Sequence, residues 1–158
     1  MVEISEKLVQ SLAEMGLTIS TAESCTGGML ASAIIDVAGA SEVFSEGFIT
    51  YSNEAKIKYL DVKAETLEEF GAVSQQTVLQ MAAGCAKQAE SDVAVVTSGV
   101  AGPGGGTQET PVGFVYIACA YKDVVTAKSF KFDGDRFEIR RQATAEALKM
   151  TLELLENQ

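Results

Sequence analysis

The chain has 158 residues and a formal net charge of −10, from 22 acidic and 12 basic side chains. Hydrophobic residues make up 47% of the chain, which is enough for one sizeable core, and we expect a single domain over residues 1–158. The acidic balance argues against a protein that binds nucleic-acid phosphates along a basic face, although it leaves room for one small cationic pocket, and we expect no nucleic-acid partner.

The first part of the chain alternates helical and strand-like segments. Apolar residues recur at helical spacing from Ile4 onward, which predicts an N-terminal helix. Residues 17–21 predict a short strand. A second helix follows, which we expect Thr26 or a neighbour to cap and Gly39 to end. Residues 43–52 predict the next strand.

Three helices are predicted in the middle of the chain. Residues 53–60 and 64–70 predict two short helices, the second of which stops at Gly71. Ser74 is a favourable N-cap for a longer helix that runs to about Glu90.

The second half begins with a buried strand. Residues 92–100 form an uninterrupted apolar run, which is typical of a strand covered on both faces. A long glycine-rich loop occupies 101–111. Residues 113–121 and 124–132 predict a hairpin, and the segment DGDRF then opens a C-terminal helix.

This order predicts an α/β fold: a three-layer α/β/α sandwich with a mixed, mostly parallel sheet of about five strands and a late antiparallel hairpin. Ligands of such folds bind at the carboxyl ends of the parallel strands. Three polar or glycine-bearing segments leave those ends, and we expect them to meet there: ESCTGG (23–28), YSNEAK (51–56) and GVAGPGGGT (99–107).

Ser24 falls where a strand turns into a helix. We expect the backbone N–H groups of Cys25, Thr26 and Gly27 to be unpaired there and to point outward, where they would suit an oxyanion or a phosphate. The alternative is that Ser24 and Thr26 only cap the helix, which spacing alone favours.

The chain contains no histidine, which excludes a Ser-His-Asp triad and a Cys-His pair. With no tight cluster of metal ligands either, we expect no metal and no cofactor, and lysine becomes the main candidate for a general base. Lys56 lies beside the predicted binding edge. Its pKa would have to fall from about 10.4 to about 7–8. The alternative is a solvated lysine paired with an acid such as Glu54.

Cys25 is a rival nucleophile, because a helix N-terminus lowers the pKa of a thiol; the alternative is a small buried residue. The three cysteines lie far apart and form no disulfide or zinc pattern. The N-terminus does not resemble a signal peptide, and no apolar run reaches membrane length. We therefore expect a cytoplasmic protein without a membrane partner.

All three arginines lie within six residues: Arg136, Arg140 and Arg141. A confined arginine cluster in an acidic chain suits a phosphomonoester, because the guanidinium fork matches phosphate. A salt-bridged helix start with Asp133, Asp135 and Glu138 as partners explains the cluster equally well.

The motifs TAESCTGG, GFITYSNEAK, GAVS, TSGVAGPGGGT…PVGFVY and GDR…RRQAT occur in this order over about residues 5–155. In the content and order of these motifs, the chain resembles the CinA C-terminal domain family in its stand-alone form. That family contains nicotinamide-nucleotide amidohydrolases, which hydrolyse nicotinamide mononucleotide to nicotinate mononucleotide and ammonia in pyridine-nucleotide salvage. The family's fold is a three-layer sandwich with a five-stranded mixed sheet.

The resemblance implies a metal-independent serine–lysine amidohydrolase. Carried over, the serine of ESCTGG is Ser24 and the lysine of YSNEAK is Lys56, and these are the expected catalytic residues. Expected substrate-binding residues are Tyr51, Thr26, Gly27, Ser98, Gly99, Arg140 and Arg141, the last two as candidates for the 5′-phosphate.

Two alternatives remain open at this point. One is a non-catalytic, nucleotide-binding regulatory domain linked to competence or the DNA-damage response, and the other is a cysteine amidohydrolase that uses Cys25. We also expect a small-molecule nucleotide substrate and a homo-oligomer, a dimer or higher.

Overall fold

The computed structural model describes all 158 residues. It contains six α-helices and five strands, in chain order α1 (Val2–Met15), β1 (Ile19–Glu23), α2 (Met29–Ile35), β2 (Phe44–Ile49), α3 (Asn53–Leu60), α4 (Ala64–Phe70), α5 (Gln75–Ala89), β3 (Val93–Gly99), β4 (Phe114–Tyr121), β5 (Val124–Lys131) and α6 (Arg136–Glu156). None of these helices combines the length and the apolar character that a membrane crossing requires.

The five strands form one open, mixed sheet in the order β2-β1-β3-β4-β5. Strand β1 pairs in parallel with β2 and with β3, while β4 is antiparallel to both β3 and β5. Four strands therefore run in one direction and β4 alone runs against them. The predicted mixed sheet and late hairpin are confirmed.

Helices cover both faces of the sheet. On one face α1, α2 and α6 pack over the larger core cluster, and on the other α5 lies on the sheet with α3 and α4 packed against it. Between these layers every residue of 93–98 in β3 is buried, which confirms the strand predicted from the apolar run. The carboxyl ends of β1, β2 and β3 thus meet at one edge.

The start of α2 differs from the prediction. The prediction is that Thr26 or a neighbour caps this helix; its N-cap is Gly28, two residues after Thr26, and no capping bond from an N-cap side chain is found. The Thr26 hydroxyl instead donates to the Glu23 carboxylate, which accepts the N–H groups of Leu30 and Ala31. A buried acid from the preceding strand therefore caps this helix.

Other boundaries shift by a few residues. Helix α2 ends at Ile35 rather than at Gly39, whose positive φ of 88° instead begins a short 3₁₀ turn. Strand β2 covers only Phe44–Ile49 of the predicted 43–52. The predicted N-cap of α5 is confirmed, since Ser74 Oγ accepts the Thr77 N–H.

Helix α3 lies unusually close to α5. A Cβ on Gly84 of α5 would stand 1.8 Å from the carbonyl oxygen of Leu60, so only glycine permits this approach. The contact fixes the C-terminal end of α3 against α5, and α3 is the helix that carries Lys56.

Candidate active site

Ser24 lies directly beyond the carboxyl end of β1. Its N–H donates to the carbonyl oxygen of Thr97 at 3.0 Å, so the backbone of Ser24 continues the pairing of β1 with β3. The following residues leave the sheet and turn into α2. The serine is buried but lines a cleft, which gives its hydroxyl access to a ligand.

Lys56 reaches the same point from α3. Ser52 caps this helix by accepting the Ala55 N–H, and Lys56 projects from its first turns toward the end of β1. The Lys56 Nζ donates to Ser24 Oγ at 3.1 Å and to the Thr50 carbonyl oxygen at 2.7 Å. The structure therefore places the amine within hydrogen-bond distance of the hydroxyl.

The surroundings of Lys56 disfavour its charged form. The residue is only 1% exposed, and none of the ion pairs in the structure involves it. Burial lowers the pKa of the Lys56 amine to about 8, and the nearby Cys25 opposes this shift. A pairing with Glu54, the alternative considered from sequence, is not found.

The cleft beside these residues has a volume of about 280 Å³. Residues that follow β1, β2 and β3 line it together with Ala72 and Val73, so the three predicted segments do converge at this edge. No carboxylate lines the cleft, and its two basic side chains are Lys56 and Arg136. The electrostatics therefore suit an anionic group on an otherwise acidic protein.

Tyr51 and Arg136 meet at the cleft. The Tyr51 side chain is largely exposed, and its hydroxyl accepts a hydrogen bond from Arg136 Nη2 at 2.9 Å. Arg136 Nη1 donates to the carbonyl oxygen of Gly102 in the glycine-rich loop at 2.8 Å. The guanidinium thus joins the start of α6 to two other segments that line the cleft.

Ser98 and Gly99 also line the cleft. The Ser98 hydroxyl donates to the Ala72 carbonyl at 2.8 Å and holds that loop against β3. A Cβ on Gly99 would stand 2.6 Å from Val115 Cγ2, so the close packing of β3 and β4 leaves no room for a side chain there.

Thr26 and Gly27 lie outside the residues that line the cleft. Thr26 is fully buried, with its hydroxyl shared between Glu23 and Thr97. The Gly27 N–H donates to the Ser24 carbonyl at 3.1 Å, so the expectation that it is unpaired is wrong. The N–H groups of Cys25 and Thr26 meet no acceptor in another residue.

The two arginines expected at the phosphate also lie outside the cleft. Arg140 donates from Nε to the Cys25 carbonyl at 2.9 Å and from Nη2 to the Thr26 carbonyl at 3.0 Å. Arg141 lies at a separate pocket, which Met29 and Phe137 also line. Of the three arginines, only Arg136 lines the cleft, whereas the sequence-based expectation named Arg140 and Arg141.

Cys25 lines the cleft but is poorly suited to act as a nucleophile. Burial raises the pKa of its thiol to about 11, and the negative charge of Glu23 adds to that shift. The thiolate is the reactive form, so its share at neutral pH is very small. No group of three potential metal-ligating side chains occurs in the structure.

Comparisons with known proteins point to one family. Residues 1–155 match the model of the CinA C-terminal domain. A CinA-like protein of Kosmotoga olearia is 52% identical over 145 residues, which cover 92% of this chain and 35% of that protein. The chain thus spans about a third of the length of the curated relatives it matches.

Two solved structures match over nearly their whole length. The competence/damage inducible protein CihA of Agrobacterium tumefaciens has a TM-score of 0.94 and 44% identity, covering 99% of this chain and 95% of its own. A CinA superfamily protein of Klebsiella pneumoniae has a TM-score of 0.96 and 36% identity, with coverages of 99% and 98%. The chain belongs to the CinA C-terminal domain family.

Proposed function

We propose that the chain hydrolyses the carboxamide of nicotinamide mononucleotide to nicotinate mononucleotide and ammonia, with Ser24 as nucleophile and Lys56 as general base. The observation that carries this proposal is the buried Lys56 amine, 3.1 Å from Ser24 Oγ and without a carboxylate partner. A lysine with a pKa near 8 is neutral often enough at physiological pH to accept a proton.

The first half of the reaction forms an acyl-enzyme. Neutral Lys56 keeps its N–H···O bond to Thr50 and directs its lone pair at the Ser24 hydroxyl. As Lys56 takes the proton, Ser24 Oγ attacks the carboxamide carbon, and backbone N–H groups beside Ser24 stabilise the oxyanion. The C–N bond then breaks, and ammonia leaves with the proton from Lys56.

The second half returns the enzyme to its starting state. Water gives a proton to Lys56 and attacks the acyl carbon, and the Ser24 oxygen leaves and recovers its proton. The positive charge of the pyridinium ring disfavours protonation of the nearby amine, so bound substrate supports the neutral form of Lys56.

The substrate's charges guide its orientation in the cleft. Arg136 is the cleft-lining cation that is free of the proton-transfer chemistry, and we assign the 5′-phosphate to it rather than to Arg140 or Arg141. The exposed ring of Tyr51 can contact the pyridinium, because a cation is attracted to the face of an aromatic ring.

The test is an ammonia assay on the purified protein with nicotinamide mononucleotide. We expect release that Ser24→Ala reduces by a factor on the order of 10⁴–10⁶, as loss of a nucleophile does elsewhere. Cys25→Ala should still turn over, which separates the serine mechanism from a cysteine one. Absence of ammonia above background at high enzyme concentration would end the proposal.

A regulatory, nucleotide-binding role is the second candidate. It is supported by the competence/damage inducible name of the Agrobacterium relative. Binding of nicotinamide mononucleotide without ammonia release would favour it.

A single domain, a homo-oligomer and a cytoplasmic location stay predictions.

A further inference from the structure

Arg140 contacts the backbone of the turn that carries Ser24. Its Nε donates to the Cys25 carbonyl at 2.9 Å and its Nη2 to the Thr26 carbonyl at 3.0 Å. A Cβ on Gly27 would stand 3.3 Å from Nη2, so the guanidinium lies tightly against the turn. The guanidinium of this α6 residue therefore donates hydrogen bonds to two successive peptide carbonyls.

These contacts begin a chain of hydrogen bonds. The peptide group between Thr26 and Gly27 accepts from Arg140 through its carbonyl and donates through its N–H to the Ser24 carbonyl at 3.1 Å. The next peptide group, between Ser24 and Cys25, presents the Cys25 N–H, which meets no acceptor in another residue. Each peptide group in such a chain polarises the next, by about 10–30% per bond.

A second contact of Arg140 fixes the middle of the turn. The peptide group between Cys25 and Thr26 accepts Arg140 Nε through its carbonyl, and its N–H belongs to Thr26, which is fully buried outside the cleft. Arg140 therefore holds the backbone of the turn from outside the cleft, while Cys25 is the residue after Ser24 that lines it.

We propose that Arg140 is a positioning residue, which fixes the turn after Ser24 and polarises the Cys25 N–H group as an oxyanion-stabilising donor of the reaction. This inference rests on the function proposed above. It gives Arg140 a role in transition-state stabilisation and no contact with the substrate phosphate. The Arg140 guanidinium is half-buried and lies outside the residues that line the cleft, with two of its donors bound to backbone carbonyls.

Glu23 also stabilises this turn, at its junction with α2. Its carboxylate accepts the N–H groups of Leu30 and Ala31 at the start of α2 and the hydroxyl of Thr26. Those helical N–H groups are therefore unavailable to a ligand. Within this turn the residue after Ser24 that lines the cleft is Cys25, whose N–H is the donor that the Arg140 contacts polarise.

The experiment compares Arg140→Lys and Arg140→Ala with Lys149→Ala, which removes a charge from an exposed position further along α6. We expect the Arg140 variants to lose roughly ten- to a hundredfold in kcat with little change in KM, less than the 10²–10³ reported for deleting an oxyanion donor. Added guanidinium chloride, below denaturing concentrations, should partly restore Arg140→Ala but not Ser24→Ala. Lys149→Ala should behave as the wild type.

A substrate-free readout makes the outcome independent of the reaction. In ¹H–¹⁵N spectra of the folded protein, the Cys25 and Thr26 amide protons should move upfield in Arg140→Lys and stay in place in Lys149→Ala. A raised KM with unchanged kcat would overturn the inference and return Arg140 to the phosphate. If the wild type releases no ammonia, the proposed function fails, and unchanged amide shifts would then overturn the role of Arg140 separately.

Discussion

Glu23 and Lys56 occupy separate buried pockets, each residue 1% exposed, next to helices α2 and α3 on opposite faces of the sheet. The Glu23 carboxylate, under α2, accepts three hydrogen bonds from protein donors, two of them from the positive end of that helix. The Lys56 amine, under α3, meets only a neutral hydroxyl and a carbonyl.

The contrast shows that one small protein buries an acid and an amine for two different purposes. If the two groups formed an ion pair, the amine would remain protonated and could not act as a base. Because backbone N–H groups of α2 stabilise the Glu23 carboxylate, this acid can stabilise the turn without keeping Lys56 protonated. The first pocket is built for stability and the second for reactivity.

The largest expected effect comes from removing the reactive amine of Lys56. Lys56→Met preserves the length of the side chain and should reduce kcat for ammonia release by about 10³–10⁴, since general-base catalysis commonly contributes up to that factor. The protein should remain folded. Steady-state kinetics with nicotinamide mononucleotide measure this. Lys58→Met, an exposed lysine on the same helix, should keep its activity. A loss of less than tenfold in Lys56→Met would remove the distinction between the pockets.

Altering the other pocket should affect stability first. Glu23→Gln places an amide NH₂ against backbone donors, and hydrogen bonds to a buried charge contribute about 1.5–3 kcal/mol each. We expect the free energy of unfolding in urea to fall by about 3 kcal/mol. The exposed Glu68→Gln on α4 is the matched control and should change it by less than about 0.5 kcal/mol. Equal stability of the two variants would contradict the structural role of Glu23.

The pH dependence of stability isolates the cost of burying Lys56. Its pKa is lowered from 10.5 to about 8 on folding, so the unfolded chain binds more protons between these values. Stability of the wild type relative to Lys56→Met should therefore be lowest below pH 8 and rise by about 2–3 kcal/mol between pH 7 and pH 10. Urea unfolding of both proteins across this range measures the difference. Parallel curves would mean that Lys56 keeps its ordinary pKa.

The smallest expected effect is on the rate near neutral pH. The kcat/KM for nicotinamide mononucleotide should rise about tenfold per pH unit below the Lys56 pKa of about 8 and level off above it. The midpoint for kcat should lie lower, because the bound pyridinium further disfavours the protonated amine. Initial rates in buffers of constant ionic strength test this. A rate that does not change with pH between 6.5 and 9 would argue against a lysine base.

Much of the fold could be predicted because local patterns and global topology agree. The apolar run in β3, the N-cap at Ser74 and the late hairpin were all readable from residue type and spacing. The start of α2 was not, because its cap comes from Glu23 on the preceding strand. A sequence shows that an acid is present but not which donors its carboxylate will meet.

By itself, the sequence determined the α/β architecture, the edge at which the loops meet and, through the absence of histidine, the importance of a lysine. Only the tertiary structure decided which side chains meet there. It brought Lys56 to Ser24 across 32 positions of chain, placed Arg136 in the cleft and turned Arg140 toward the backbone. The physical reason is that burial and hydrogen bonding depend on neighbours distant in sequence, whereas helical and strand periodicity depend on neighbours along the chain.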